Sequence, residues 1–153
     1  MRIFISSLVI AAILMVLSGC NESQEAGIEA DASPFFTTGT GAVMQGIEGK
    51  MGLLGPEFVA GKPNKHMWHF WGTEDELGGK FSAEAVNLAT GEKINPFPLD
   101  FPASIGGPNN GADGHAPSSI ELPEPGMWQL DAYFDGKRFA SVIVEAKLQT
   151  GGQ

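Results

Sequence analysis

The clearest pattern along the chain is an alternation of apolar and polar side chains in its C-terminal third. Every second residue from Trp128 to Phe134 is apolar, and the residues between them are mostly polar. A period of two is that of a β-strand with one buried face. Asp135-Gly136 follows, a pair that readily takes the positive φ angles of a tight turn, and residues 138–146 contain a Val- and Ile-rich segment. The pattern predicts an antiparallel β-hairpin.

Elsewhere, short apolar segments are separated by turn residues, and the chain contains 21 glycines and 10 prolines. Such segments predict further strands. They are residues 34–38, 50–54, 65–71, 81–88 and 118–122, with Thr90-Gly91 turning the chain back towards Ile94. By residue type 81–88 also suits a helix, but glycines and turn residues bracket it tightly and favour a strand. About seven short strands predict an all-β fold, a sandwich of two packed sheets.

The N-terminus has a basic start at Arg2, an apolar stretch over residues 3–17, and the run Leu17-Ser18-Gly19-Cys20. This segment resembles the signal peptide and lipobox of bacterial lipoproteins. The resemblance implies that residues 1–19 are removed, that Cys20 is lipidated, and that the protein is anchored to the extracytoplasmic face of the cell membrane. The alternatives are an ordinary cleaved signal peptide with a chance cysteine and a spanning signal anchor, which needs roughly 20 apolar residues.

After the leader, composition divides the chain into a linker, one domain and a tail. Residues 20–33 join the expected lipidated cysteine to a polar stretch that buries too little apolar area to fold, which predicts a flexible linker. Residues 34–147 are expected to form one sandwich domain, and residues 148–153 a disordered tail. Cys20 is the single cysteine, so the domain should have neither a disulfide nor a cysteine-ligated metal.

The charge balance narrows the choice of partners. The chain has 9 Lys and Arg against 18 Asp and Glu, a net charge of −9, and loss of a leader containing Arg2 would make it −10. An acidic surface argues against binding to nucleic acid and against electrostatic adhesion to anionic lipid. It suits solubility beside a negatively charged envelope, and it leaves capture of a cation or a basic partner open.

The last hairpin carries a second resemblance. Residues 124–133 contain Pro125-Gly126, then Trp128 and alternating apolar residues, and a Gly turn and a closing strand follow. This order is similar to the last hairpin of bacterial immunoglobulin-like domains. With the lipobox, the run of residues 67–72 and the loop of residues 106–113, the chain resembles small, largely uncharacterised lipoproteins of Bacillus-type bacteria. The resemblance implies an immunoglobulin-like antiparallel β-sandwich without the immunoglobulin disulfide, and it brings no activity or functional residues.

One aromatic segment contains the first candidate binding residue. On a strand, Met67, His69 and Trp71 would face one way, and His66, Trp68 and Phe70 the other. One set should fill the core, as tryptophan commonly does in a sandwich. The second set, with Trp71, could form an exposed aromatic platform for a glycan or an apolar ligand.

The long loop of residues 104–118 contains the other candidate binding residues, Asn109, Asn110, Asp113 and His115. Long irregular connections are often functional. A turn-rich crossover between the sheets explains the same residues. A calcium site is the third alternative, although Asp113 is the only carboxylate in the loop. We expect Trp71 and residues 109–115 to form the contact surface.

A metal site could use the three histidines, His66, His69 and His115, but His66 and His69 would point to opposite faces of a regular strand. Catalysis has little support, because the domain has no cysteine nucleophile and no Gly-x-Ser-x-Gly motif, and Glu74-Asp75-Glu76 suits a solvated turn. The leading hypothesis is therefore a monomeric, non-catalytic lipoprotein without a cofactor that binds an envelope protein or glycan. The alternative is a metal-binding or metal-delivery lipoprotein.

Overall fold

The computed structural model describes residues 30–99 and 104–151, and this part of the chain is all-β, with one short helix. The elements are β1 (Phe35–Thr37), β2 (Val43–Ile47), β3 (Met51–Leu54), β4 (Phe58–Val59), β5 (Asn64–Phe70), α1 (Glu74–Leu77), β6 (Phe81–Asn87), β7 (Lys93–Ile94), β8 (Gly114–Ile120), β9 (Gly126–Phe134) and β10 (Lys137–Lys147). The described residues thus hold ten strands, more than the seven expected. The strands that were not predicted are short or, like β2, show little alternation of apolar and polar residues.

The strands form two five-stranded sheets that pack as a sandwich. Sheet A has the order β1-β2-β3-β5-β8, and sheet B has the order β4-β10-β9-β6-β7. All pairings are antiparallel except that of β4 with β10. The predicted all-β, two-layer architecture is therefore confirmed. Within the described residues, no helix combines the length and the apolar character needed to cross a bilayer.

The hairpin of β9 and β10 forms where the alternation predicted it. Asp135 and Gly136 have φ angles of 49° and 74°, as a tight turn between twisted strands requires. The inward residues from Trp128 to Phe134 are buried in the core. On the opposite side Asp131 is also fully buried, and its carboxylate accepts hydrogen bonds from Gln129, Arg138 and Ser141. Each oxygen of this buried side chain therefore has a donor, as a buried polar group requires.

Strand β5 supplies the centre of the aromatic core from its inner face. Trp68 and Phe70 are fully buried, and their rings lie edge-on to that of Phe81 at centroid distances of 5.4 and 5.2 Å. Trp68 Nε1 donates to Ser118 Oγ at 2.9 Å, so its one polar group is paired. The prediction that tryptophan of this segment fills the sandwich is confirmed for Trp68.

Strand β8 starts earlier than expected. Residues 118–122 were predicted, and the observed strand is Gly114–Ile120, so the loop before it ends at Asp113. Residues 114–117 had been assigned to the long loop, yet they belong to the strand, including Pro117, which cannot donate to a ladder. β8 lies at the margin of sheet A, where a missing donor is tolerated.

Before β1, the chain crosses from the edge of sheet B to sheet A. Ser33 N–H donates to the Ile143 carbonyl of β10 at 2.8 Å, and Ile143 N–H donates to Ser33 Oγ at 2.9 Å. From there the chain enters β1 in the other sheet. The end of the expected linker is thus fixed to the domain at Ser33, while its first residues, with Cys20 and the expected leader, lie outside the described residues.

Candidate functional site

The loop before β8 folds into a small hairpin, here called the flap (residues 104–113). Asn109 and Ala112 exchange two backbone hydrogen bonds of 3.1 and 2.9 Å around Asn110 and Gly111. Those two residues have φ angles of 49° and 83°, which asparagine and glycine adopt with little strain. At its base, Gly106 pairs with His115 of β8 through bonds of 2.7 and 3.1 Å. The chain crosses here from β7 in sheet B to β8 in sheet A, as expected of a turn-rich crossover, and residues 104–113 form this hairpin within it.

The tip of the flap lies on the outer face of β5. Three successive tip residues contact the three alternate side chains that point outwards from the strand and its end. The contacts are Asn109 Nδ2 to Met67 Sδ at 3.2 Å, Asn110 Nδ2 to His69 Nε2 at 3.1 Å, and Trp71 Nε1 to the Gly111 carbonyl at 2.8 Å. The flap is thus held to the sheet by a row of side-chain hydrogen bonds.

The end of the flap is also fixed. Asp113 N–H donates to the Phe70 carbonyl at 2.9 Å, and Asp113 Oδ2 accepts from Gly72 N–H at 2.9 Å. Directly after Gly72, Thr73 and Glu76 form a reciprocal capping box that starts helix α1. The carboxylate that could have been a calcium ligand therefore binds a backbone amide.

His69 is the buried group beneath the flap. His69 is fully inaccessible to solvent, and its Nδ1 lies 3.2 Å from the Met67 carbonyl oxygen. Because the Asn110 amide donates to Nε2, the proton belongs on Nδ1, which donates to the carbonyl. Burial lowers the pKa of His69 from its usual value of 6.5; the Met67 carbonyl raises it, and His115 lowers it again. The ring is therefore neutral at pH 7, as its two partners require.

Around His69, apolar side chains form a second, small cluster on the outer face. Phe36 meets Trp71 edge-on at a centroid distance of 5.9 Å, and Met44 is fully buried. A Cβ at Gly52 would lie 2.8 Å from Phe36 Cζ and 3.0 Å from Met44 Sδ, so only glycine lets these side chains come this close. The outer face of sheet A is consequently packed and rigid next to the flap.

The structure brings the predicted contact residues together. Asn109, Asn110 and Asp113 belong to the flap, His115 belongs to β8, and Trp71 directly follows β5. Their polar groups bind other parts of the site: His115 Nδ1, for example, lies 2.7 Å from the Gly107 carbonyl. What the site presents to solvent is the half-buried edge of Trp71 and His115 together with the exposed backbone of the flap.

The alternative metal site does not assemble. His69 and His115 are directly opposite each other on β5 and β8. His66 lies on the inner side, stacked on Phe58 at 4.1 Å, with Nε2 2.9 Å from the Pro56 carbonyl. In residues 30–99 and 104–151, no three His, Cys, Asp or Glu side chains are placed to hold a metal ion. The described structure does not bring the three histidines together, because strand alternation separates His66 from the other two.

Three residues of the site were not among the candidates. The alternation had placed Met67 on the side of Trp71, which was a usable signal, but a methionine in a strand is usually core. Phe36 and Gly52 belong to β1 and β3, and only the order of strands in the sheet brings them next to Trp71 and His69. No local sequence signal marks such neighbours.

Comparison with known proteins adds the following findings. A family model described as "Domain of unknown function (DUF4871)" matches residues 21–144. No curated protein matches the sequence. Among solved structures, the chain is similar to the X-ray crystal structure of a "putative lipoprotein from Bacillus anthracis", with 22% sequence identity and a TM-score of 0.61, covering 76% of this chain and 86% of that one. At this level of identity, the likeness concerns the fold.

Proposed function

The chain belongs to the DUF4871 family, and we propose that it is a lipid-anchored extracytoplasmic protein whose sandwich binds an envelope protein or glycan without catalysis. The single observation that carries the binding role is the flap. It is a loop held in one conformation by side chains that the sequence had marked as contact residues. The three histidines of the metal alternative do not meet, which favours the binding role.

The anchor is supported by three observations. The run Leu17-Ser18-Gly19-Cys20 has the order of a lipobox, and the family match starts at residue 21, immediately after the expected lipid attachment. The similar Bacillus anthracis structure is of a protein described as a "putative lipoprotein". On this proposal, replacing Cys20 by serine releases the chain from the membrane fraction.

We also propose that the sandwich is immunoglobulin-like. In that fold the last two strands pair in one sheet with strand C, and strands A, B and E lie in the other. The order here supports this assignment, because β10, β9 and β6 are neighbours in sheet B, and β3, β5 and β8 are neighbours in sheet A. Strands β1 and β2 would then be an addition beyond strand A.

The chemistry of the flap surface suits protein or glycan contact. Trp71 presents part of a large aromatic ring at low entropic cost, and the glycine-rich backbone of the flap exposes hydrogen-bonding groups. Because the flap is already ordered, binding would not have to pay for ordering it. The proposed contact surface consists of the upper side of the flap with the edges of Trp71 and His115.

The test must separate contact from folding, because most candidate side chains also hold the flap. Gly107 offers a way to do so. It is exposed, its φ angle is not positive, and a Cβ there would meet no atom within 4 Å. Gly107→Arg therefore adds bulk above the flap without disturbing it. Gly39→Arg, in the turn between β1 and β2, is a matched control, since Gly39 is equally exposed and open.

The experiment is crosslinking of the anchored full chain in living cells, followed by identification of the attached species. Gly107→Arg should reduce recovery of the partner by about tenfold, a loss of roughly 1.4 kcal/mol in binding, at an unchanged melting temperature. Gly39→Arg should bind like the unmodified chain. Equal recovery with both variants would show that the flap is not the contact surface.

A further inference from the structure

One side of the sandwich carries an apolar surface that the domain does not cover. Phe35, Val43 and Ile47 are exposed to 70%, 53% and 45%, and we call these three residues the side strip. The pairing of β1 with β2 places Phe35 opposite Gln45, with Val43 and Ile47 two residues to either side. All three point to the inner face of sheet A, because Ile47 is paired with the buried Met51.

The side strip is exposed because sheet B ends before it. Strand β4, at the margin of sheet B, pairs only with the last two residues of β10, Ala146 and Lys147. Ser33 bonds to the free edge of β10 on this side, but no further strand of the described residues extends sheet B beyond β4 and β10. The inner face of β1 and of part of β2 therefore faces solvent, where a sandwich would normally be closed.

The N-terminal segment enters the domain at the same place. Ser33 is fixed to β10 by two hydrogen bonds with Ile143, and its carbonyl accepts from Gln45 Nε2 at 3.0 Å. Gln45 lies in the middle of the side strip. Cys20 precedes Ser33 by thirteen residues, which span at most about 45 Å at full extension. Attachment of lipid at Cys20 would thus hold this side of the domain near the bilayer.

We infer that the side strip is the surface with which the tethered domain rests on the lipid bilayer. The inference depends on the proposed lipid attachment at Cys20. Phe35 and the two aliphatic side chains would enter the boundary between headgroups and acyl chains, where burial of apolar area stabilises the contact. The tether raises the effective concentration of the bilayer at the strip, so that a small apolar area suffices.

The charges beside the strip define the lipid that it suits. Glu48 follows Ile47, and Glu57 and Glu145 line the adjoining groove, where Lys147 pairs with Glu57. Carboxylates predominate, so the attraction is apolar and not electrostatic. Contact should be strongest on zwitterionic phosphatidylcholine, and it should weaken when phosphatidylglycerol is added at low salt.

The single cysteine makes a direct test possible. Lipidation consumes the Cys20 thiol, so a cysteine introduced by Val43→Cys can be labelled alone with an environment-sensitive fluorophore. Thr90→Cys is the matched control: Thr90 is exposed in the turn between β6 and β7, at the opposite side of sheet B. Both full-length lipidated variants are reconstituted into phosphatidylcholine vesicles that contain lipids spin-labelled on the acyl chain.

The label at position 43 should emit at shorter wavelength and be quenched at least about twofold more strongly than the label at position 90, since it would lie at acyl-chain depth. Adding Phe35→Ser to Val43→Cys should remove most of this difference. Equal, weak quenching at both positions in vesicle-bound chains would overturn the membrane contact and leave the anchor intact.

Two further outcomes also count against the inference. Chains that carry the native Cys20 and do not sediment with vesicles would refute the anchor on which it rests, and they would do so without any reading from the label. A Cys20→Ser, Val43→Cys chain whose label is shielded without vesicles would show that a second copy of the chain covers the strip.

Discussion

The hydrogen bond between Asn110 and His69 offers the sharpest test of how the flap is held. Asn110→Gly removes the amide that donates to the buried His69 Nε2 at 3.1 Å and retains a backbone that accepts a φ angle of 49°. A buried acceptor left without a donor costs about 1–3 kcal/mol. The tip of the flap is near solvent, so water offsets part of this cost. We expect the free energy of opening the flap to fall by about 1.4 kcal/mol.

Hydrogen exchange measures this quantity directly. A loss of about 1.4 kcal/mol corresponds to roughly tenfold faster exchange of the Asn109 and Ala112 amides, which pair across the tip. Amides of β9, in the centre of sheet B, should be unaffected because the opening is local. If protection at the tip changes by less than about twofold, or if β9 loosens equally, the hydrogen bond does not hold the flap as argued.

A second variant gives this prediction a pH signature. Asn110→Asp replaces the donor by a carboxylate, which at high pH faces the lone pair of neutral His69 and should release the flap. When the pH falls, protonated His69 can donate to that carboxylate, and protection should return. Asn110→Gly should show no such recovery. An identical pH response of the two variants would contradict the assignment of Nε2 as the acceptor.

Three further predictions concern stability. Ser118→Ala leaves the buried Trp68 N–H without its acceptor and should lower the free energy of unfolding in urea by about 1–3 kcal/mol, whereas Ser118→Thr, which keeps the hydroxyl, should cost less. Burial lowers the pKa of His69 from 6.5, so its contribution to the free energy of unfolding should be full above pH 6.5. That contribution should be lost on acidification, by at most about 1.4 kcal/mol per pH unit. His69→Gln should show a flatter dependence on pH in the same denaturation series. Gly46→Ala places a Cβ against the backbone of β3 at a φ angle of 152° and should destabilise by about 1–3 kcal/mol or more, while Gly39→Ala, which meets open space, should leave the melting temperature nearly unchanged.

The parts of the fold that could be predicted are those specified by neighbours in the sequence. Alternation from Trp128 to Phe134 and the Asp135-Gly136 turn specify a hairpin by themselves, and the hairpin of β9 and β10 has that form. β6 was recognised in the same way, from turn residues on both sides. Residues 114–117 of β8 were expected in the long loop. Pro117 is compatible with a strand at the margin of a sheet, and the sequence does not show which strand is marginal.

The sequence predicted which residues belong to the candidate site, but it did not predict how they interact. Strand alternation put His69 and Trp71 on one face, and a long polar loop drew attention to Asn110 and Asp113. The sequence does not show that the loop returns to that same face and that its amides and carboxylate bind the sheet. The polar groups that suggested ligand binding are therefore largely occupied within the protein.

The sequence by itself determined that the domain is built from strands, because side-chain alternation and turn geometry act over a few residues. It also fixed an acidic charge and a single cysteine in the run that resembles a lipobox. The order of strands in each sheet decided the rest: which face the flap covers, why His66 is separated from the other histidines, and why Phe35, Val43 and Ile47 are left exposed. These features depend on packing between segments that are far apart in the chain. No local pattern encodes the entropy cost of bringing such segments together or how well their side chains fit.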